Sequence, residues 1–295
     1  MTNKSTTRLF VVLARQAPVG VIFRRGPSKQ VQLIKWDTSK DHFEYGQWFK
    51  GRIYEHRCDL SPSGEKLIYL AANWKKLDLG SWTAVSKPPY LTALALWPNL
   101  GAWGGGGLFE HENTVCLNHR FDMGYDKLAE GFELPQNINV KPLGKLSGHG
   151  EDDPIRHEHL IRDGWKFIDA GKRTEHPYDP SSKIWITYDP PITYQKTHNG
   201  YVLTMQIKGF HEWGGSHDVT EYLMSKAHDK DLVNLGRMDW ADWDAKDDLL
   251  FARSGKLYRY KMQNSAFDLN KVVELADFND LKFEEKVAPP EFLKW

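Results

Sequence analysis

The chain lacks several features that would assign it to a function class. Its 39 Lys and Arg are matched by 39 Asp and Glu, so it carries no formal net charge. Nucleic-acid modules show a basic excess or a basic stripe. Here the pairs Arg24-Arg25, Lys75-Lys76 and Lys172-Arg173 stand alone beside turns, so a nucleic-acid partner is not expected. There are only two cysteines, Cys58 and Cys116, too few for the disulfide framework of a secreted scaffold. No run approaches the ~18 consecutive apolar residues of a membrane helix. The apolar stretch Leu9–Ala14, preceded by Lys4 and Arg8, imitates a signal peptide but ends at Arg15. It is shorter than the ~7–15 residues such a segment needs. These absences predict a cytoplasmic protein with no membrane partner. Disorder is not expected either, because 40% of the residues are hydrophobic and net charge is zero. Helical periodicity with caps is nearly missing as well.

What is present is a series of short apolar or alternating runs. They include Arg8–Ala14, Val19–Arg24, Val31–Trp36, Lys66–Ala71, Trp82–Val85, Leu91–Trp97, Thr114–Leu117 and Ile184–Tyr188, then Tyr201–Ile207, Leu249–Ala252, Leu257–Tyr260 and Val272–Leu275. Most span four to seven residues, are rich in β-branched and aromatic side chains, and are bounded by Gly, Pro, Asn or Asp, which is strand chemistry. Glu221–Ala227 reads equally as a strand or one turn of helix. Strands without intervening helices predict an all-β sandwich, barrel or propeller.

Repetition separates these. Asp59–Ala71 (DLSPSGEKLIYLA) and Ala241–Arg253 (ADWDAKDDLLFAR) both set an Asp-containing turn before an apolar strand. Similar steps occur at Ala17–Phe23, His111–Leu117 and His198–Met205. The strand centres fall near Ile22, Leu67, Val115, Leu203 and Leu249, and three of the four gaps are about 45 residues, within the ~40–50 of a propeller blade. The remaining gap, Val115 to Leu203, is nearly twice that. It holds a sixth, degenerate blade or, as the polar stretch His149–Pro180 favours, an insertion near residues 145–182. The expectation is one β-propeller domain over residues 1–295, with five four-stranded antiparallel blades favoured and six as the alternative.

The run Asp59–Tyr69 resembles the blade signature of TolB-type and WD40-like β-propellers, with Ser63 where those families often carry Asp. The chain as a whole resembles uncharacterised bacterial propeller proteins. The resemblance implies four-stranded blades packed radially around a channel, with binding on a face or at the channel mouth, and it implies no activity.

Candidate chemistry is sparse. His149, His157 and His159, with Glu151, Asp152, Asp153, Glu158 and, further on, His176 nearby, form the densest group of metal-type residues. On a strand, His157 and His159 would share one face and could serve as metal ligands. The competing reading is a solvated charged loop, since no flanking apolar strand holds them. Cys116 and His119 form C-x-x-H without partners for a structural zinc site, so Cys116 reads as a core thiol. Ser216-His217-Asp218 are chain neighbours and read as a hairpin turn, not a catalytic triad. The tract Gly104–Gly107 lacks the Lys-Ser/Thr of a phosphate loop and reads as close backbone approach. Aromatics are abundant, at 12 Trp, 12 Tyr and 14 Phe. Trp48, Trp74, Trp97, Trp103, Trp213 and Trp240 lie beside turns or Gly/Pro residues, which makes them candidate surface anchors. The functional expectation is a non-catalytic scaffold, without a cofactor, that docks another protein on one face. The alternative is a metal-dependent or ligand-binding propeller enzyme with its site at the channel mouth.

Overall fold

The computed structural model describes residues 7–26, 29–74, 80–99, 101–149, 155–174, 183–213, 215–227, 232–262 and 268–295. Five sheets follow one another along these residues. The first is the meander β1 (Arg8–Leu13), β2 (Val19–Arg25), β3 (Gln30–Asp37) and β4 (His42–Lys50). The second contains β5 (Arg52–Ile53), β6 (Asp59–Leu60), β7 (Leu67–Ala72), β8 (Ser81–Ser86) and β9 (Ala95–Asn99); β5 and β6 both pair with β7. The third has β10 (Gly107–His111), β11 (Thr114–Leu117) and β12 (Asn139–Pro142), the last parallel to its neighbour. The fourth runs β13 (Lys166–Asp169), β14 (Ile184–His198), β15 (Tyr201–Glu212), β16 (Asp218–Lys226) and β17 (Val233–Arg237). The fifth is β18 (Trp240–Trp243), β19 (Leu249–Arg253), β20 (Lys256–Tyr260) and β21 (Val273–Asp277).

The chain is therefore all-β and built of consecutive, mostly antiparallel sheets of the kind that form propeller blades. Each sequence marker lands in a different sheet. Ile22, Leu67, Val115, Leu203 and Leu249 occupy β2, β7, β11, β15 and β19 and are buried. The long gap holds no extra sheet among the described residues. It contains β12, a helix, and the strands β13 and β14 of the fourth sheet. Glu221–Ala227 is largely strand, within β16.

The Asp59–Ala71 motif is a hairpin in which Leu60 faces Leu67. Its turn is closed by the Ser61 amide donating to the Lys66 carbonyl at 2.8 Å and the Gly64 amide to the Ser61 carbonyl at 2.8 Å. Asp59 is buried, and its Oδ2 accepts the Phe109 amide at 2.7 Å. The partial copy is a hairpin of β18 and β19 in which Trp243 faces Leu249. There the Asp244 carboxylate accepts the Lys246 and Asp248 amides at 2.8 and 2.9 Å. This Asx-type closure supplies the bend that Pro and Gly give the first copy.

The described residues group into two compact units, Phe10–His159 with Lys282–Trp295, and Met1–Leu9 with Leu160–Leu281. In the first, Val21, Leu33, Leu60, Leu67, Tyr69 and Ala84 belong to one core cluster, and Ile68, Trp97, Phe109 and Leu117 to another. In the second, Leu203, Met205, Tyr222, Trp243, Leu249 and Phe251 are packed together.

One sequence expectation is overturned here. Ile155–Arg162 is a helix, α1, not a loop or strand. It ends at Gly164, where the Gly164 amide reaches the Ile161 carbonyl and the Trp165 amide the Leu160 carbonyl. Helical residues two apart are rotated by about 200°, so His157 and His159 cannot share a face as they would on a strand.

Candidate functional site: aromatic side chains around a glycine knot

The glycine tract is the centre of a buried polar network in the first unit. Arg57, itself buried, donates from Nη1 to the Ala102 carbonyl at 2.6 Å and to the Gly104 carbonyl at 3.0 Å. Asn99 Nδ2 donates to the carbonyls of Gly101 and Gly104, at 2.6 and 2.9 Å. The Gly105 amide donates to the Asn118 carbonyl at 2.7 Å, and the Asn118 amide returns to the Gly106 carbonyl at 2.9 Å. Asn118 Oδ1 accepts the Gly148 amide at 2.7 Å. One knot thus joins the ends of β9, β10 and β11 to the loop at residues 144–149.

Glycine is required in this knot because the backbones touch. A Cβ on Gly106 would sit 2.5 Å from the Arg57 carbonyl oxygen, and its φ of +82° disfavours any side chain. Close approach, read from the sequence, is what the tract does.

His119 fixes the other side of the knot. Its Nδ1 lies 2.8 Å from the Tyr125 carbonyl, which can only accept, so Nδ1 carries the proton. Burial pushes its pKa down from 6.5 to about 4. Nε2 of the neutral ring therefore accepts, and the Thr83 hydroxyl donates to it at 2.7 Å. Thr83 Oγ1 in turn accepts the Gly106 amide at 2.7 Å. The histidine of the C-x-x-H pattern is thus a structural member of the network, and Cys116 is buried, as a core thiol should be.

The loops that meet here carry exposed apolar side chains. Trp103, next to Gly104, is 71% exposed. Trp74 is 53% exposed and lies over Gly80, with its ring 3.4 Å from where a Cβ would be. Gly80 bridges to Asn99, which reaches into the knot. Met123 lies on the short helical turn Phe121–Met123 that follows His119, and Leu146 two residues before Gly148; both are exposed. His149 is also exposed, and nearby the Arg120 hydrogen bond holds the Asp122 carboxylate below its usual range. Rigid backbone beneath exposed tryptophan is the arrangement that protein interfaces use for hot spots, because little ordering entropy remains to be lost on binding.

The other sequence candidates separate. Trp97 is 1% exposed and packs with Ile68, Val85 and Phe109. Trp240, 8% exposed, lies in β18 opposite Ala252. Both are corrected from surface anchors to core residues, since each sits within a paired strand where its ring fills the interior. Trp48 is half-buried, beneath the Arg24 guanidinium at 5.4 Å and beside Phe283. Trp213 is 69% exposed in the second unit, where its amide donates to the Lys183 carbonyl. Trp185, also exposed, escaped the sequence reading because it lies inside the strand-like run Ile184–Tyr188; Ile184 and Ile186 occupy the alternate face.

The candidate metal ligands do not converge. His149 is exposed, His157 lies on α1, and His159 Nε2 faces Asp59 Oδ1 at 3.1 Å. Among the described residues no group of three His, Cys, Asp or Glu is arranged to hold a metal. Glu151–Asp153 and His176 lie outside the described residues. Ser216 and His217 form the β15–β16 turn, with the His211 amide on the His217 carbonyl at 2.6 Å. His217 Nδ1 is 2.6 Å from Asp218 Oδ1.

No family model and no curated protein matches the chain. Among solved structures it is similar to the beta-propeller domain of the Trilobed protease from Pyrococcus furiosus, described as having an open velcro topology. The match covers 94% of this chain and all of that one, at 9% identity and a TM-score of 0.42. At that level the likeness carries no argument of its own, and the fold rests on the sheets described above. No helix among the described residues is long and apolar enough to cross a membrane.

Proposed function

We propose that the five sheets are the blades of a single TolB- or WD40-like β-propeller serving as a non-catalytic scaffold in the cytoplasm, and that it docks a partner protein through the aromatic surface around the glycine knot. The observation that carries the reading is the exposure of Trp74 and Trp103 on loops tied into the buried Arg57–Asn99–Asn118 network. Exposed indole on a rigid support favours recognition over chemistry. Met123 and Leu146 extend the apolar surface. Neither Cys58 nor Cys116 is in a disulfide, which suits a reducing compartment.

The test is affinity purification from the native host with the wild-type chain beside the Trp74→Ala/Trp103→Ala double variant. A partner held by the wild type and lost from a variant with an unchanged melting curve supports the reading. A partner retained equally by both places the docking surface elsewhere.

A further inference from the structure

The turn between β14 and β15 carries a chemistry that the docking surface does not use. It consists of two residues, Asn199 and Gly200, closed by the pair of His198 with Tyr201. Both turn residues have positive φ, +43° and +78°. A type I′ hairpin turn requires this, and Asn-Gly is a dipeptide it favours. Of the asparagines in the chain, Asn199 alone precedes glycine.

The turn leaves the reactive groups of this dipeptide uncovered. Both residues are exposed. Among the described residues, neither the Asn199 side chain nor the Gly200 amide makes a hydrogen bond. The Gly200 carbonyl is engaged, by the Ala227 amide at 2.6 Å. Apart from its chain neighbours, nothing lies within 4 Å of where a Gly200 Cβ would stand. The glycine nitrogen is therefore shielded neither by a side chain of its own nor by packing. A carboxamide and an unshielded backbone nitrogen one residue on are the two partners of a five-membered ring closure, a reaction that makes asparagine thermolabile.

We infer that Asn199 is a self-modification site whose slow conversion loosens its hairpin. The Gly200 N–H gives its proton to hydroxide, and the nitrogen attacks Asn199 Cγ. The N–Cγ bond forms and the Cγ–Nδ2 bond breaks. Nδ2 takes a proton from water and leaves as ammonia, which regenerates the hydroxide. Water then opens the resulting succinimide. Cleavage of the N–Cγ bond gives aspartate. Cleavage of the bond from that nitrogen to the backbone carbonyl carbon of residue 199 gives isoaspartate, whose main chain runs through Cβ and Cγ.

The two products differ in consequence. Asp-Gly also suits a type I′ turn, so aspartate leaves the hairpin intact. Isoaspartate adds a carbon to a two-residue loop whose length sets the strand register. His198, the first paired residue beyond the loop, donates from Nε2 to Asp247 Oδ1 in the β18–β19 turn, and its ring stacks on Trp243 at 5.7 Å. Trp243 packs with Leu203, Met205 and Leu249. Lengthening the loop pulls on this tie between the fourth and fifth sheets, and the conversion runs one way, as a timer on the second unit. Trp74 and Trp103 belong to the first unit, so the inference is independent of the docking surface.

The test incubates the purified full chain at mildly alkaline pH in water enriched in oxygen-18. The peptide spanning Asn199 and Gly200 is followed by mass spectrometry. It should exchange an amino group for a hydroxyl carrying one heavy oxygen, faster as pH rises, with isoaspartate among the products. Asn139 and Asn234 are exposed and followed by Val140 and Leu235, and should convert at least ten-fold more slowly. Gly200→Ala, which sets a methyl group beside the attacking nitrogen, should slow conversion at residue 199 at least ten-fold. Asn199→Gly keeps a dipeptide that suits the turn. It should hold its melting temperature through an incubation in which that of the native chain falls. Absence of heavy oxygen at residue 199, or equal rates at Asn139 or Asn234, overturns the proposal. So does a native melting temperature that stays constant while isoaspartate accumulates. Should Gly200→Ala fail to fold, the native chain with its internal controls decides alone.

Discussion

At the scale of single residues, Gly106 and His119 give the clearest predictions. Gly106→Ala pays twice, once for a positive φ and once for meeting the Arg57 carbonyl. The expected loss is about 2–4 kcal/mol, read from urea unfolding. Gly131, with φ +83° and nothing within 4 Å of a Cβ, is the control, and Gly131→Ala should cost only about 1–2 kcal/mol. Equal losses would show that contact in the knot is unimportant. His119 is buried and neutral, with its pKa pushed down from 6.5 to about 4. Above pH 6.5 neither the folded nor the unfolded chain protonates it. Below that the unfolded chain gains a proton that the folded chain refuses, so stability is lost as pH falls toward 4. At 1.36 kcal/mol per unit, the loss attributable to this residue is about 3 kcal/mol. His119→Gln should flatten the stability profile between pH 6.5 and 4, and an unchanged slope would assign the effect to other groups.

At the scale of elements, the hairpin turns differ in how they are fastened. In the β18–β19 turn, the Arg259 guanidinium is buried against Asp244 and Asp248, the latter at 2.8 Å. Asp244 also accepts two turn amides. Asp244→Ala removes the turn closure and one counter-charge together, and should destabilise by about 3–5 kcal/mol. Asp244→Asn, which keeps an acceptor for the amides, should recover part of that in thermal melts.

The same elements show what was legible in the sequence. Apolar and β-branched runs between turn residues revealed most strands with a buried core, such as β2, β7 and β19. They did not reveal β10 or β18, which are buried, yet β10 follows the glycine tract and β18 sits in the stretch read as a turn. Strands with little buried face were hidden as well. β13 is exposed at all four positions, and most of β4 is exposed or half-buried. α1 was unreadable by periodicity, since Ile155 alone is buried along it. Its one signal was the Asp-Pro dipeptide before Ile155. Adjacency to turns correctly marked Trp74, Trp103 and Trp213 as exposed. It failed for Trp97 and Trp240, because a residue beside a turn can still point inward from the last rungs of a strand. The knot itself was half legible. Four consecutive glycines announce close approach, but nothing local tells that Arg57, Asn99 and Asn118 are what they approach.

At the scale of the whole molecule, the spacing of about 45 residues proved to count sheets, with one marker strand in each. The doubled interval accommodates connecting elements, not a further sheet among the described residues. A consequence follows from how the sheets are drawn, each from a single uninterrupted stretch of chain. A sheet made only of sequence neighbours is complete once its own stretch has emerged from the ribosome, so the order of translation can serve as the order of assembly. Pulse-labelled nascent chains stalled once Lys50, then Asn99, then Pro142 have cleared the ribosome should gain protease resistance in steps, each adding one sheet's worth of protected chain. Resistance arriving only at full length would mean that no sheet is stable without the rest.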